Sequence, residues 1–212
     1  MGGGDMTRRV LTIGLTAVLL VLTPVAAQAH LVTTGLGPLY DGASHFALSP
    51  EEVFPVLVLA LFAGLRGALH ARLTFFLLPV AWLAGALVAQ FAPAMTAGWQ
   101  QILTAALFLG MGGLLASDLS VPPHVTVAAG VAFAAFRGAI DATSFRGAPH
   151  ATLAVVGMAI AVPVLFALVA SLTLPLKRLW VVIAVRVAGS WLAALGLLLV
   201  GWSVRMGMLR SP

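Results

Sequence analysis

Cysteine is absent from the chain, which excludes disulfides, zinc–thiolate sites, iron–sulfur clusters and thiol catalysis, and leaves nitrogen, oxygen and methionine sulfur as metal donors. Charge is nearly as scarce: only 8% of the 212 residues are charged while 61% are hydrophobic, so a soluble globular fold is excluded. There are six acidic and eleven basic residues. The basic ones are scattered rather than clustered, so no surface tracks phosphates and nucleic acid is not an expected partner. No nucleophile and base stand at helical spacing and no His-Glu-x-x-His pair occurs, so an enzyme is not expected and no resident cofactor is implied.

The N-terminus has the form of a secretory signal. Arg8 and Arg9 precede an apolar run from Val10 to Leu22, and Ala27-Gln28-Ala29 has the small-x-small pattern of a cleavage site. Residues 1–29 therefore read as a signal peptide and His30 as the mature N-terminus, the alternative being an uncleaved first membrane helix. Residues 30–50 read as a periplasmic segment, 51–204 as the membrane domain and 205–212 as a C-terminal tail.

A bilayer needs about 20 residues per helix. The apolar runs give six spans: Glu51 to Ala68, Leu73 to Phe91, Gln101 to Ala116, Pro123 to Asp141, Ala151 to Leu174 and Leu179 to Val204. Because backbone groups in lipid must be satisfied within the chain, the expected fold is an all-α membrane protein with six transmembrane helices after the signal peptide. Export of the mature N-terminus places the first helix running inward through a bacterial inner membrane. Arg66, Arg72, Lys177 and Arg178 then lie inside, and Arg137, Arg146, Arg205 and Arg210 at or near the outer side, a tie that Arg8 and Arg9 tip inward.

Phe62-Ala-Gly-Leu-Arg-Gly-Ala-Leu-His-Ala71 matches Phe133-Ala-Ala-Phe-Arg-Gly-Ala-Ile-Asp-Ala142 at six of ten positions. The match pairs span one with span four and predicts a 3+3 inverted repeat, as in many transporters that alternate access around a midplane site; chance similarity in Ala/Gly-rich sequence is the alternative.

Ionisable groups inside a membrane are costly and are functional candidates by default. His45 precedes Glu51 and Glu52 at the mouth of the first span, an imidazole and carboxylate set suited to nickel, cobalt or zinc. The same acids also fit helix capping, with Ser49 as N-cap, Pro50 in the first turn and Glu52 closing a capping box. In the fourth span Arg137 and Asp141 stand four apart on one face, either neutralising each other or forming a cation or proton site tuned by the arginine. Arg186 lies well into the last span and is expected to face Asp141, Glu51 or Glu52. His30, as a free N-terminus, offers an amine and a ring nitrogen for chelation. His70, His124 and His150 read as ordinary interfacial histidines. The tryptophans read as interfacial anchors or packing residues.

These residues carry a resemblance. His45 followed after five residues by Glu51-Glu52, and Phe136-Arg-Gly-Ala-Ile-Asp-Ala-Thr-Ser144, resemble the His-x5-Asp-His and Phe-His-Gly-x-(Ala/Val)-His-Gly-x-Glu motifs of the HupE/UreJ family. The closing helix from Arg186-Val-Ala-Gly189 is also similar to that family's last span. The resemblance implies a nickel or cobalt permease with a cleaved signal peptide and six spans. Only His45 stands as histidine. Glu51 replaces Asp, Glu52 and Asp141 replace His, Arg137 replaces His and Ser144 replaces Glu. This exchange favours oxygen donors and adds a positive charge, leaving harder cations, protons or an uncharged solute open as cargo. The expected function is therefore a divalent metal permease with His45, Glu51, Glu52, Asp141 and His30 as ligands, Arg137 as gate and Arg186 as counter-charge. The alternative is a non-transporting accessory subunit of a membrane complex, with small-residue helix faces serving a partner or a second copy.

Overall fold

The computed structural model describes residues 34–117, 119–176 and 179–210, with the side chains of the last helix described as far as Arg205. The expected signal peptide, His30, Lys177 and Arg178 lie outside the described residues. Within them the chain forms seven helices and no strand: α1 Pro38–Leu48, α2 Pro50–Arg66, α3 Ala68–Phe91, α4 Ala97–Ala116, α5 Pro123–Ser144, α6 Ala151–Thr173 and α7 Leu179–Arg210. Five of these are long and apolar enough to cross a bilayer, and α1 with α2, bent by 74° at their junction, make up to a sixth when the pair is counted as one broken span. The protein is an all-α, multi-pass membrane protein.

The bend follows from its sequence. Pro50 has no amide hydrogen and disfavours a helical residue before it, so Ser49 is extended (φ −98°, ψ 95°). Ser49 still serves both helices. Its hydroxyl donates to the His45 carbonyl at 2.8 Å, and its own carbonyl accepts from the amides of Glu52 and Val53 at 2.9 and 3.0 Å. The capping box is therefore not formed: the Ser49 side chain turns back to α1, and Glu52 is drawn into the protein by a buried arginine. Residues 30–50 accordingly contain a packed helix. At its other end α2 stops at Gly67, whose φ of 113° suits glycine and whose amide bonds the carbonyls of Ala63 and Gly64.

The six spans pair crosswise. Contacts between α3 and α5 run in the same order along both helices: His70 with Thr126, Trp82 with Gly138, and Ala89 with Arg146, so these helices are parallel. The end of α2 lies beside the end of α6, Gly64 against Thr173, whereas α1 crosses the start of α6 in the reverse order, Leu39 against Gly157 and Gly42 against Ala154. Helices α4 and α7 are antiparallel, Gly112 meeting Ala193 and Gly196 meeting Leu109. Spans one and five, two and four, and three and six are thus partners, the directions that six successive crossings require. Exchanging the first three spans with the last three leaves this pairing unchanged, as an inverted repeat demands.

The ten-residue match is not in register with that pairing. Phe62 to Ala71 straddles the break at Gly67, with Arg66 closing α2, whereas Phe133 to Ala142 is unbroken helix with Arg137 buried. The shared Arg-Gly ends a helix in one copy and makes a helix contact in the other.

Side chains too large for these crossings would force the helices apart. A Cβ on Gly85 would overlap the carbonyl of Ala135, and one on Gly138 the carbonyl of Trp82, so both positions bring α3 and α5 to backbone contact. Two arginines finish helices: Arg146 donates to the carbonyl of Ala89 at 2.7 Å at the end of α3, and Arg186 Nε to that of Ala116 at 3.1 Å at the end of α4. The outward side of α3, including Phe76, Val80, Leu87 and Val88, is exposed and apolar, as a lipid-facing surface must be.

We expect Gly85→Ala and Gly138→Ala each to lower stability by about 1–3 kcal/mol through overpacking. Gly110→Ala, where a Cβ meets nothing within 4 Å, should not destabilise. Thermal unfolding of the three variants in one detergent checks this, and equal midpoints would refute the close-contact role.

Candidate cation site

Three helix ends bring the site together. The first turn of α2 supplies Glu52, the last turn of α1 supplies His45, and the last two turns of α5 supply Arg137 and Asp141. Glu52 and Asp141 are buried, with 0% and 2% of their surface exposed, and Arg137 is buried at 8%. Arg137 Nη2 donates to Glu52 Oε1 and, at 3.3 Å, to Asp141 Oδ1. One guanidinium thus bridges two carboxylates on different spans. His45, half-buried, presents its ring edge-on to Phe145 with centroids 5.1 Å apart.

The cluster is not saturated. Glu52 Oε2, Asp141 Oδ2 and Arg137 Nε are buried without a hydrogen-bond partner in the structure. Such orphan atoms cost stability unless something else satisfies them. Were both carboxylates ionised, one guanidinium would leave one negative charge uncompensated, in a place where a bilayer offers no water to solvate it. One ligand atom each from His45, Glu52 and Asp141 lie within 4.8 Å of one another, close enough to share one ion. An imidazole nitrogen with two carboxylate oxygens is a donor set for nickel, cobalt or zinc, and the oxygens suit harder divalent ions.

The site is closed beneath by aromatic packing. Trp82 is fully buried and makes edge-on contacts with Phe46 at 6.1 Å and Phe133 at 6.3 Å, with its indole nitrogen unpartnered. Below it, around Gly130, the side chains of Leu59, Leu78 and Thr74 fill the space between α2, α3 and α5. Further along, His70 Nδ1 and Thr126 Oγ1 are hydrogen-bonded at 3.0 Å. On α5, Thr126 stands fifteen residues from Asp141, about 22 Å along the helix axis.

Four of the residues singled out from sequence, His45, Glu52, Arg137 and Asp141, are therefore together, and the Arg137–Asp141 pair is as the helical spacing implies. Two others are not. Glu51 is exposed, because adjacent residues on a helix point about 100° apart and only Glu52 faces Arg137. Arg186 meets no carboxylate among the described residues: the antiparallel packing of α7 on α4 sets its Nε on the Ala116 carbonyl, where it caps a helix end. His30 lies outside the described residues. Sequence reasoning missed the partnership of Arg137 with Glu52, the burial of Trp82 beneath the site, and the bond between buried His70 and Thr126.

Removing the bridging charge strands two buried acids. Arg137→Leu is expected to lower stability by about 3 kcal/mol or more, and the double variant Arg137→Leu/Glu52→Gln by less than the sum of its single changes. Thermal unfolding of the three variants tests this coupling; strict additivity would mean that the pair does not interact.

Comparison with protein-family models, with curated proteins and with solved structures finds no match, so the chemistry of this site rests on its own residues.

Proposed function

We propose that the protein is a membrane transporter for a divalent cation of the nickel or cobalt type, and that His45, Glu52 and Asp141 are its cargo ligands. The observation that carries this reading is the convergence of one nitrogen and two oxygen donors within 4.8 Å, with a free oxygen on each buried acid. The resemblance of the His45 to Glu52 and Phe136 to Ser144 segments to HupE/UreJ motifs agrees with it.

In this mechanism Arg137 is a tethered stand-in for the cargo. Its guanidinium holds the two acids together when the site carries no metal, and a divalent ion replaces it by drawing the same oxygens inward. Retreat of Arg137 along α5 opens the site, and its return expels the ion. A fixed positive charge that competes for the ligands avoids leaving a bare acidic pair in the membrane during the return step. On the orientation read from the N-terminal signal, the site opens to the outer face of a bacterial inner membrane, and the packing of Leu59, Leu78 and Phe133 is the barrier toward the other side.

Uptake of nickel, cobalt, zinc and manganese into proteoliposomes tests the reading. Saturable uptake of one ion is expected, with Glu52→Gln and Asp141→Asn each lowering it about tenfold or more and Glu51→Gln leaving it near the parent level. Absence of uptake of every ion by the folded parent would overturn the assignment and favour an accessory subunit in which the acids and Arg137 are a structural cluster.

The stand-in role makes a separate prediction. In Arg137→Gln the transported ion should raise the unfolding midpoint more than in the parent, because the ligands no longer exchange one cation for another. An ion that stabilises parent and variant equally would remove Arg137 from the cargo site.

A further inference from the structure

Three buried polar side chains lie at the end of the α3–α5 seam away from the cation cluster: His70 and Thr74 on α3 and Thr126 on α5, with 8%, 1% and 0% of their surface exposed. Hydroxyls within the other helices are satisfied locally. Thr104, Thr143 and Thr173 each donate to a carbonyl in the preceding turn of their own helix. Thr126 instead bonds His70 Nδ1 across the seam at 3.0 Å, and Thr74 Oγ1 is buried with no partner among the described residues. A hydroxyl that forgoes the carbonyl of its own helix carries a cost inside a bilayer unless a ligand meets it.

The spacing of these atoms suits a metal ion. Two donors at right angles around an ion, each about 2.1 Å from it, stand about 3 Å apart, as Nδ1 and Oγ1 do. Thr74 is one turn from His70 on the same face of α3, where side chains four apart are neighbours, and its Cγ2 lies 3.3 Å from the place of a Cβ on Gly130, one turn beyond Thr126. The three side chains therefore meet within two turns of one seam. Their position also mirrors that of the cluster. In the ten-residue match His70 corresponds to Asp141, and Thr126 stands in the first turn of α5 as Glu52 does in the first turn of α2. Although Gly67 breaks the helix in one copy only, each matched residue is joined to the span that leads the other half, Asp141 through Arg137 and His70 directly. One imidazole and two hydroxyls replace carboxylates here, so this set holds a divalent ion more weakly. At the same end of the helices an arginine-lined cavity of about 420 Å³, with Phe62, Arg66 and Arg186 in its walls, offers room for an ion to rehydrate.

We propose that His70, Thr126 and Thr74 form a second, weaker station for a divalent cation, reached once the ion has passed Trp82 and the Leu59 and Leu78 packing, and from which it is released on the far side of the membrane. The release role rests on the transport reading given above. The capacity of the three residues to bind a divalent cation does not.

The test uses cobalt(II) and the full chain purified in a neutral detergent. Titration calorimetry carried to millimolar cobalt should resolve two sites, the tighter lost in Glu52→Gln and the weaker lost in His70→Leu. Thr74→Val keeps the shape of the side chain and removes a hydroxyl that bonds nothing. It should unfold at or above the parent's midpoint and still weaken the second site about threefold or more, as for loss of one polar contact, an effect that a merely structural threonine would not show. In proteoliposomes both variants should lower the maximal rate of cobalt uptake, His70→Leu by about tenfold, with the half-saturating concentration near the parent's because loading occurs at the cluster. Absence of the weaker site in the parent would overturn the proposal. A weaker site unchanged in Thr74→Val would do the same, even where His70→Leu fails to fold, and parent-like maximal rates in both variants would remove the release role. A weaker site that answers to His70 in a parent taking up no cobalt would refute the transport reading and leave the binding site standing.

Discussion

Two buried acids share one guanidinium here because the start of α2 and the end of α5 meet at one point, and much of the architecture serves that meeting. In lipid, neither Glu52 nor Asp141 could remain ionised alone, and a single interhelical hydrogen bond would not compensate for its desolvation. Arg137 resolves this by reaching from α5 to α2 while holding Asp141 on its own face. The solution is incomplete: each acid keeps one oxygen unpartnered. A cluster built only for stability would be expected to close its valences, or to be replaced by apolar packing of equal volume. The remaining donors, with His45 beside them, make the cluster a place where one cation can be exchanged for another.

Bringing α5 close enough for this depends on residues with little chemistry of their own. Gly85 and Gly138 let α3 and α5 touch at the backbone within one turn of Arg137, so the arginine has little freedom except toward α2. The 74° bend at Ser49-Pro50 does the corresponding work on the other side. A straight helix through that position would carry His45 away from Glu52, since seven residues of continuous helix separate side chains by about 10 Å along the axis. The break folds the last turn of α1 back over the first turn of α2. Proline and glycine thus supply geometry where the ionisable residues supply affinity.

The helical spans were legible because apolar runs of bilayer length bounded by Pro and Gly leave few alternatives. The predicted boundaries at Pro123, Ala151 and Leu179 coincide with observed helix starts. Helix α1 was not legible: its eleven residues are too short and too polar to read as a span, and it is ordered by packing Gly42 on Ala154. The choice between Glu51 and Glu52 was also hidden. Periodicity separates neighbouring residues only on a helix with one buried face, whereas α2 buries Pro55 and Val58 in register with Glu51 as well as Val56 and Leu59 in register with Glu52. The pair Arg137 and Asp141 was readable because it is local, four residues apart. Its partnership with Glu52 spans 85 positions and exists only through tertiary packing. Arg186 misled for a related reason: depth in a span suggests a buried carboxylate partner, but the open carbonyls at the end of an antiparallel neighbour satisfy an arginine equally well.

Helix α2 links the two ends of the molecule. Glu52 sits in its first turn at the cation cluster, and Phe62 and Arg66 in its last turns at the arginine-lined cavity. These groups ride on one helix, about 21 Å apart along its axis. The helix is bounded by two backbone breaks, the extended Ser49 before Pro50 and the positive-φ Gly67, which are the kinds of position that absorb rotation when a rigid element moves. Between them, a Cβ on Gly64 would overlap the Thr173 hydroxyl, so α2 bears on α6 through a contact with no slack. A displacement of α2 that separates Glu52 from Arg137 must therefore also shift Phe62 and Arg66 against α7 and the α4 terminus. The acidic cluster and the arginine-lined cavity are therefore carried at opposite ends of one helix.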